Sequence, residues 1–322
     1  MLLATTAILG GLFLLVFGAD RFVTGAAQTA RGLGIAPMII GMTVVGMATS
    51  APEVLVGSVA ALQGKTNIAV GNAIGSNIAN IGLVLGGTAL FFPLQAASKT
   101  LRREYLVMFI SIILALLLSL NCRLSRLDGL LLLLALVAIT WWIVKLARSS
   151  SRRDPLAGEF GQELSTVIPL RKSLLLLVFG LVLLLAGSEL LVEGAVAVAR
   201  KYGVSDLVIG LTIIAVGTSL PEFAASVMSA IKNEADIAIG NVIGSNMFNM
   251  LMVMGVPSII HPGQFGHAVL SRDFPVMISL TLMMGRNVFV SSQGRFSRVD
   301  GAILLSGFIA YQCWLFYSIA RP

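Results

Sequence analysis

GMTVVGMATSAPE, residues Gly41 to Glu53, and GLTIIAVGTSLPE, residues Gly210 to Glu222, align without a gap at a shift of 169 residues. The register holds beyond them. IAVGNAIGSNIAN (Ile68 to Asn80) falls on IAIGNVIGSNMFN (Ile237 to Asn249), Asp20 on Glu189, Gly25 on Gly194, Arg31 on Arg200, and Arg103-Glu104 on Arg272-Asp273. SRLDG (Ser125 to Gly129) meets SRVDG (Ser297 to Gly301) after three more residues of shift. Two unrelated apolar chains would match in their leucines. Here the matches are glycines, prolines and polar residues, so the chain is an internal duplication.

The 322 residues are 57% hydrophobic and 11% charged, against roughly 25% charged in soluble domains. That places the chain in a membrane. With about 20 apolar residues needed per crossing, ten spans fall near 2–29, 36–62, 67–92, 102–120, 124–147, 173–199, 205–231, 236–260, 271–290 and 298–319. The first run, MLLATTAILGGLFLLVFGAD, lacks a basic leader segment and is read as a retained span. The polar stretch Arg148 to Lys172 divides the chain into a first five-helix repeat (1–147), a linker (148–172) and a second five-helix repeat (173–322). Five is odd, so the second repeat enters the bilayer inverted. Loops after odd-numbered spans hold about twice as many Lys and Arg as the others, which puts the linker in the cytoplasm and both termini outside. The net charge of +7 is read as loop charge, not as a nucleic-acid footprint. Cys122 and Cys313 have no metal spacing, His261 and His267 fall in a loop, and nothing bears on oligomeric state.

The chemistry lies in the repeated motifs. Glu53 and Glu222 sit mid-span, where an ionised side chain costs at least about 2.5–3.5 kcal/mol. Two inverted copies bring them together, and like charges there call for a cation or a proton between them. Pro52 and Pro221 cannot donate to the preceding turn, which frees carbonyls that an ion can satisfy. Thr49, Ser50, Thr218 and Ser219 precede the glutamates at helical spacing that shares their face. Ser76 and Asn80, and Ser245 and Asn249, are likewise four apart. These are hard oxygen donors, suited to Na+, Ca2+ or Mg2+ and not to zinc, copper or iron; Mg2+, which wants a tight octahedron and sheds water reluctantly, ranks below Ca2+. Gly71, Gly75, Gly240 and Gly244 have the spacing of close helix packing. Asp20 and Glu189 have two readings open, an ion mouth or a pair with a base such as Arg21.

Two halves carrying GTS-x-PE or a close variant, then GN-x-x-GSN-x-x-N, resemble the α-repeats of the cation/calcium exchanger superfamily, in particular its bacterial sodium/calcium-exchanger-like members. The resemblance implies an all-α fold of ten transmembrane helices in two inverted repeats. It also implies ion sites between helices two, three, seven and eight, and helices one and six sliding across the rest. By position it implies Glu53 and Glu222 as principal ligands, with Thr49, Ser50, Thr218, Ser219, Ser76, Ser245, Asn80, Asn249 and the carbonyls of Gly46 and Ala215. Some members carry aspartate where this chain has Asn249. The glutamate-bearing GN-x-x-E signature of proton/calcium exchangers is absent. The expectation is a secondary antiporter of a bacterial inner membrane. It would exchange Na+ and Ca2+ and carry no resident cofactor. A cation/proton exchanger is the alternative, a passive channel a weaker one, and an intramembrane enzyme is disfavoured because the motif acids have no nucleophile–base partner.

Overall fold

A computed structural model describes residues 2–97, 100–150, 168–203, 215–290 and 294–320, without the side chains of 147–150, 215 and 318–320. The helices are α1 (Leu2–Leu33), α2 (Pro37–Thr49), α3 (Ala51–Leu62), α4 (Thr66–Phe91), α5 (Leu101–Ser119), α6 (Arg126–Ser150), α7 (Leu170–Lys201), α8 (Ala215–Gly217), α9 (Leu220–Ile231), α10 (Ala235–Ile260), α11 (Phe274–Phe289) and α12 (Arg298–Ala320). They fall on all ten expected spans, with α2–α3 and α8–α9 forming the second and seventh. Residues 204–214, which open the seventh span and include Gly210, and most of the linker, 151–167, lie outside the described residues.

The third and eighth spans are the centre of the molecule. In α10 94% of the apolar window is buried and in α4 72%, against 17–28% in α1, α6, α7 and α12. Polar residues can therefore occupy α4 and α10 without meeting lipid. Both helices widen into a π-helical turn at the matching asparagine, Asn80–Leu85 in α4 and Asn249–Val253 in α10. Such turns give up regular i to i−4 bonding and recur at functional sites.

Inversion is visible in four short strands. Leu94–Gln95 pairs antiparallel with Arg295–Phe296, and Arg123–Leu124 with Gly263–Gln264. Each ribbon joins one repeat to the other, and the repeat register maps one ribbon onto its twin. Asp236 Oδ1 accepts the Ala97 N–H at 3.0 Å, and Asn67 Oδ1, its counterpart, accepts the Gly266 N–H at 2.8 Å. The matched SR-x-DG motifs are capping boxes. Ser125 N and Oγ donate to Asp128 Oδ2 at 2.8 and 2.7 Å, and Ser297 N and Oγ to Asp300 Oδ2 at 2.9 and 2.5 Å. Asp128→Ala and Asp300→Ala are each expected to lower stability by about 1 kcal/mol, read as thermal unfolding in detergent.

The first and sixth spans form a separate pair. Gly11, Gly18 and Gly25 of α1 and Gly180, Gly187 and Gly194 of α7 recur every seven residues and match one another across the repeat. A seven-residue period keeps one face turned to a partner. A Cβ added at Gly18 would lie 2.4 Å from Leu184 N, at Gly25 2.4 Å from Leu177 N, and at Gly180 2.2 Å from Phe22 N. The two helices thus run antiparallel, backbone against backbone.

Candidate cation site

The second and seventh spans break at matching serines. Ser50 (φ −81°, ψ 6°) and Ser219 (φ −91°, ψ 2°) leave helical geometry, and α2 and α3 meet at 41°. The sequence places the prolines as interior kinks; the structure places Pro52 and Pro221 in the first turns of new helices, where a missing N–H costs nothing. This puts Glu53 and Glu222 in helix first turns, where backbone N–H groups favour negative charge. Both residues are 1% exposed.

Two matched amides brace these turns. Asn72 Nδ2 donates to the Glu53 carbonyl at 3.0 Å, and Asn241 Nδ2 to the Glu222 carbonyl at 3.2 Å. Asn241 also donates to Ser226 Oγ at 3.0 Å. Asn241→Ala strips two buried acceptors of their donor and is expected to cost about 1–3 kcal/mol. Asn72→Ala, at a half-buried site with one such bond, costs less. Thermal unfolding of the two variants checks the order.

Hydroxyls of the first repeat reach the second. Thr49 Oγ1 lies 3.2 Å from Asn241 Oδ1 and 3.5 Å from Ser245 Oγ, and Ser50 Oγ donates to Glu222 Oε1 at 3.4 Å. The break at Ser50 explains why these groups do not simply line up with Glu53, as unbroken helical spacing predicts. Ser245 Oγ donates to the Gly46 carbonyl at 3.3 Å, so that carbonyl is already engaged by a hydroxyl. Across the break of the seventh span, Ser188 Oγ donates to the Gly217 carbonyl at 3.2 Å. Ser76 and Ser219 are buried and Thr218 is half-buried. Ala215 opens α8, with its side chain outside the described residues.

Several buried polar atoms, including Glu53 Oε2, Glu222 Oε2, Ser219 Oγ, and both side-chain polar atoms of Asn80, Asn246 and Asn249, have no hydrogen-bond partner among the described residues. Orphaned groups at this depth are costly. They lie on or beside α3, α4, α9 and α10, which pack together, and two acids with no basic partner among the described residues are the chemistry of a hard-cation cage. Asn77 and Asn246, matched residues that sequence reasoning passed over, meet between α4 and α10, where Asn77 Nδ2 donates to the Asn246 carbonyl at 3.2 Å. The duplicated GSN was the available signal.

The two ends of the site differ in packing among the described residues; residues 207 and 211, which match Met38 and Met42, lie outside them. Gly240 and Gly244 are buried against α2, where added Cβ atoms would lie 2.5 Å from the Met38 carbonyl and 2.0 Å from the Met42 carbonyl. Their counterparts Gly71 and Gly75 are exposed and half-buried, with no described atom within 4 Å of an added Cβ. Asp20 is an ion-pair partner, 2.7 Å from Lys232 Nζ and 3.6 Å from Arg21 Nε, while Glu189 is exposed. Both histidines are exposed, and Cys122 and Cys313 are unpaired thiols.

The model of the family described as sodium/calcium exchanger protein matches residues 3–145 and again 172–317. The chain belongs to this family. It is accordingly a cation exchanger of the membrane, neither an enzyme nor a passive channel, and its fold is the family's inverted repeat of ten spans. CaxA of Alkalimonas amylolytica, whose name marks it as a proposed antiporter, is 48% identical over 99% of this exchanger and 100% of its own length. The inner membrane protein YrbG of Escherichia coli is 40% identical over 98% of both chains. The solved sodium/calcium exchanger from Methanococcus jannaschii superposes with a TM-score of 0.84 at 33% identity, over 97% of this chain and 98% of its own. The same exchanger has been solved after soaking with Na+ and Ca2+.

Proposed function

We propose that the exchanger moves Na+ and Ca2+ in opposite directions through one mid-membrane cage, loaded from one side at a time. Its ligands are the carboxylates of Glu53 and Glu222, the oxygens of Thr49, Ser50, Thr218, Ser219, Ser76, Ser245, Asn80 and Asn249, and the carbonyls of Gly46 and Ala215. The observation that carries this is the pair of buried, symmetry-matched carboxylates, each with an oxygen that has no hydrogen-bond partner among the described residues. Ca2+ accepts six to eight oxygens in flexible geometry, and two carboxylates balance its charge. Na+ competes for the same oxygens, so loading one ion displaces the other. The soaked ions and name of the archaeal structure support this choice.

The domain reading accompanies it: repeats 1–147 and 173–322 joined by the linker 148–172. The loop charges put the linker in the cytoplasm and both termini outside, so the open face of Gly71 and Gly75 belongs to the outside. The name of YrbG supports an inner-membrane location. In proteoliposomes, an outward Na+ gradient is expected to drive uptake of radiolabelled Ca2+, and collapsing that gradient abolishes it. The chain has asparagine at both 80 and 249, so the cage holds two acids, a charge that two protons also neutralise. That favours cation/proton exchange as the second reading. Ca2+ uptake driven by a pH gradient without Na+ would select it.

A further inference from the structure

Among the described residues the two repeats are not equally engaged by the pair α1–α7; residues 209 and 214, which match Ile40 and Val45, lie outside them. Helix α1 buries Leu15, Ala19, Phe22, Val23, Ala26 and Ala30 in an apolar cluster with Ile40 and Val45 of α2, Ala225 of α9 and Ile237 of α10. This cluster seals the end at which Gly240 and Gly244 are shut. The twin helices differ in the same sense. Leu55 and Val59 of α3 are exposed at 67 and 51%, whereas Ala224 and Met228, their matches on α9, are packed against the cluster.

Two ion pairs fasten α1 at this sealed end. Lys232, at the C-terminal cap of α9, meets Asp20 at 2.7 Å. Glu234, immediately before α10, pairs with Arg31. Their matches in the other half are different residues. Gln63 stands at the position of Lys232 and Lys65 at that of Glu234, while Glu189 and Arg200 match Asp20 and Arg31. Docking α7 in the mirrored way would set Glu189 beside a neutral amide and bring Arg200 to Lys65, two cations.

We infer that Asp20–Lys232 and Arg31–Glu234 form a one-sided electrostatic latch, which biases the exchanger toward the state with the Gly71 face open and the Gly240 face shut. This rests on the alternating-access reading above and adds a built-in asymmetry between its two states. Apart from Ser188 in place of Ala19, the residues of the apolar cluster have apolar matches, so the charges that the duplication did not keep are what most distinguishes the two dockings. Two partly exposed pairs of this kind are together enough to shift a population several-fold.

The test uses full-length protein in detergent, with Cys122→Ser, Cys313→Ser and a reporter Gly71→Cys in open space. The readout is its rate of modification by a hydrophilic thiol reagent. Lys232→Gln with Glu234→Gln is expected to slow modification at least about two-fold. Building the mirrored latch on that background, with Gln63→Lys and Lys65→Glu, slows it further. Exchanging the charges (Asp20→Lys with Lys232→Asp, Arg31→Glu with Glu234→Arg) restores the parental rate. Equal rates in all of these proteins overturn the latch. The underlying reading has its own control: saturating Na+ or Ca2+ must change the reporter's rate in the parental background. A rate indifferent to both ions overturns alternating access itself.

Discussion

Glu53→Gln and Glu222→Gln are each expected to lower Ca2+ affinity and exchange by at least about 100-fold, with the folded protein retained. The reason is electrostatic. Each carboxylate is 1% exposed, in the first turn of a broken helix, with no basic partner among the described residues and one oxygen unpartnered among them. A cation between them supplies the missing counter-charge, and removing one partner of a buried charged set costs about 3–5 kcal/mol. Without ions the sign reverses. Two buried carboxylates repel, so either amide variant relieves the ion-free protein. Thermal unfolding with and without Ca2+ separates these effects. The parent's melting temperature rises with the ion, because binding stabilises the folded state by mass action. The variants gain little from Ca2+, yet melt no lower than the parent in its absence. A variant that melts low under both conditions would mark Glu53 or Glu222 as a packing residue.

Gly18→Ala is expected to destabilise the protein by about 3 kcal/mol, and Gly187→Ala by a similar amount. The added methyl would sit 2.4 Å from Leu184 N in the first case and 2.4 Å from Leu15 N in the second. The obstruction is backbone, which cannot rotate aside, so the pair α1–α7 must separate or the helices bend; overpacking of this kind costs about 1–3 kcal/mol or more. Gly10→Ala is the internal control. It lies on the same helix, but its nearest contact is a leucine methyl at 3.7 Å, and Ala exceeds Gly in helix preference by about 1 kcal/mol. It should therefore be neutral or slightly stabilising. Melting temperatures in detergent, compared across the three variants, check the contrast in sign.

Duplication made most of the fold legible. Once Gly41–Glu53 is laid on Gly210–Glu222, the ten spans, the inversion and the pairing of the two glutamates follow from counting. The described helices agree to within a few residues at most boundaries. What the sequence concealed is geometry that depends on neighbours. The proline marks a disturbance, but only tertiary structure shows that the chain breaks at Ser50 and Ser219, turning Glu53 and Glu222 into first-turn residues. The π turns at Asn80 and Asn249 carry no distinctive residue pattern. The glycine ladder of α1 and α7 was readable, because Gly11, Gly18 and Gly25 match Gly180, Gly187 and Gly194, yet in apolar helices it is masked by the surrounding leucines. The unequal packing of the two ends among the described residues was not readable at all, since a symmetric motif cannot reveal on which copy the packing is tighter. Asp20 stood between two readings, and its partner Lys232 is more than two hundred positions away.

The central claim, a single cation cage shared by the two repeats, is tested most directly by anomalous diffraction from crystals soaked with Ca2+ or its heavier analogue Sr2+. A peak between α3 and α9, about 2.3–2.6 Å from carboxylate oxygens of both Glu53 and Glu222, and displaced as Na+ is raised, is the predicted result. A peak bound to only one of the two glutamates, or one that survives in the Glu53→Gln, Glu222→Gln double variant, would contradict it.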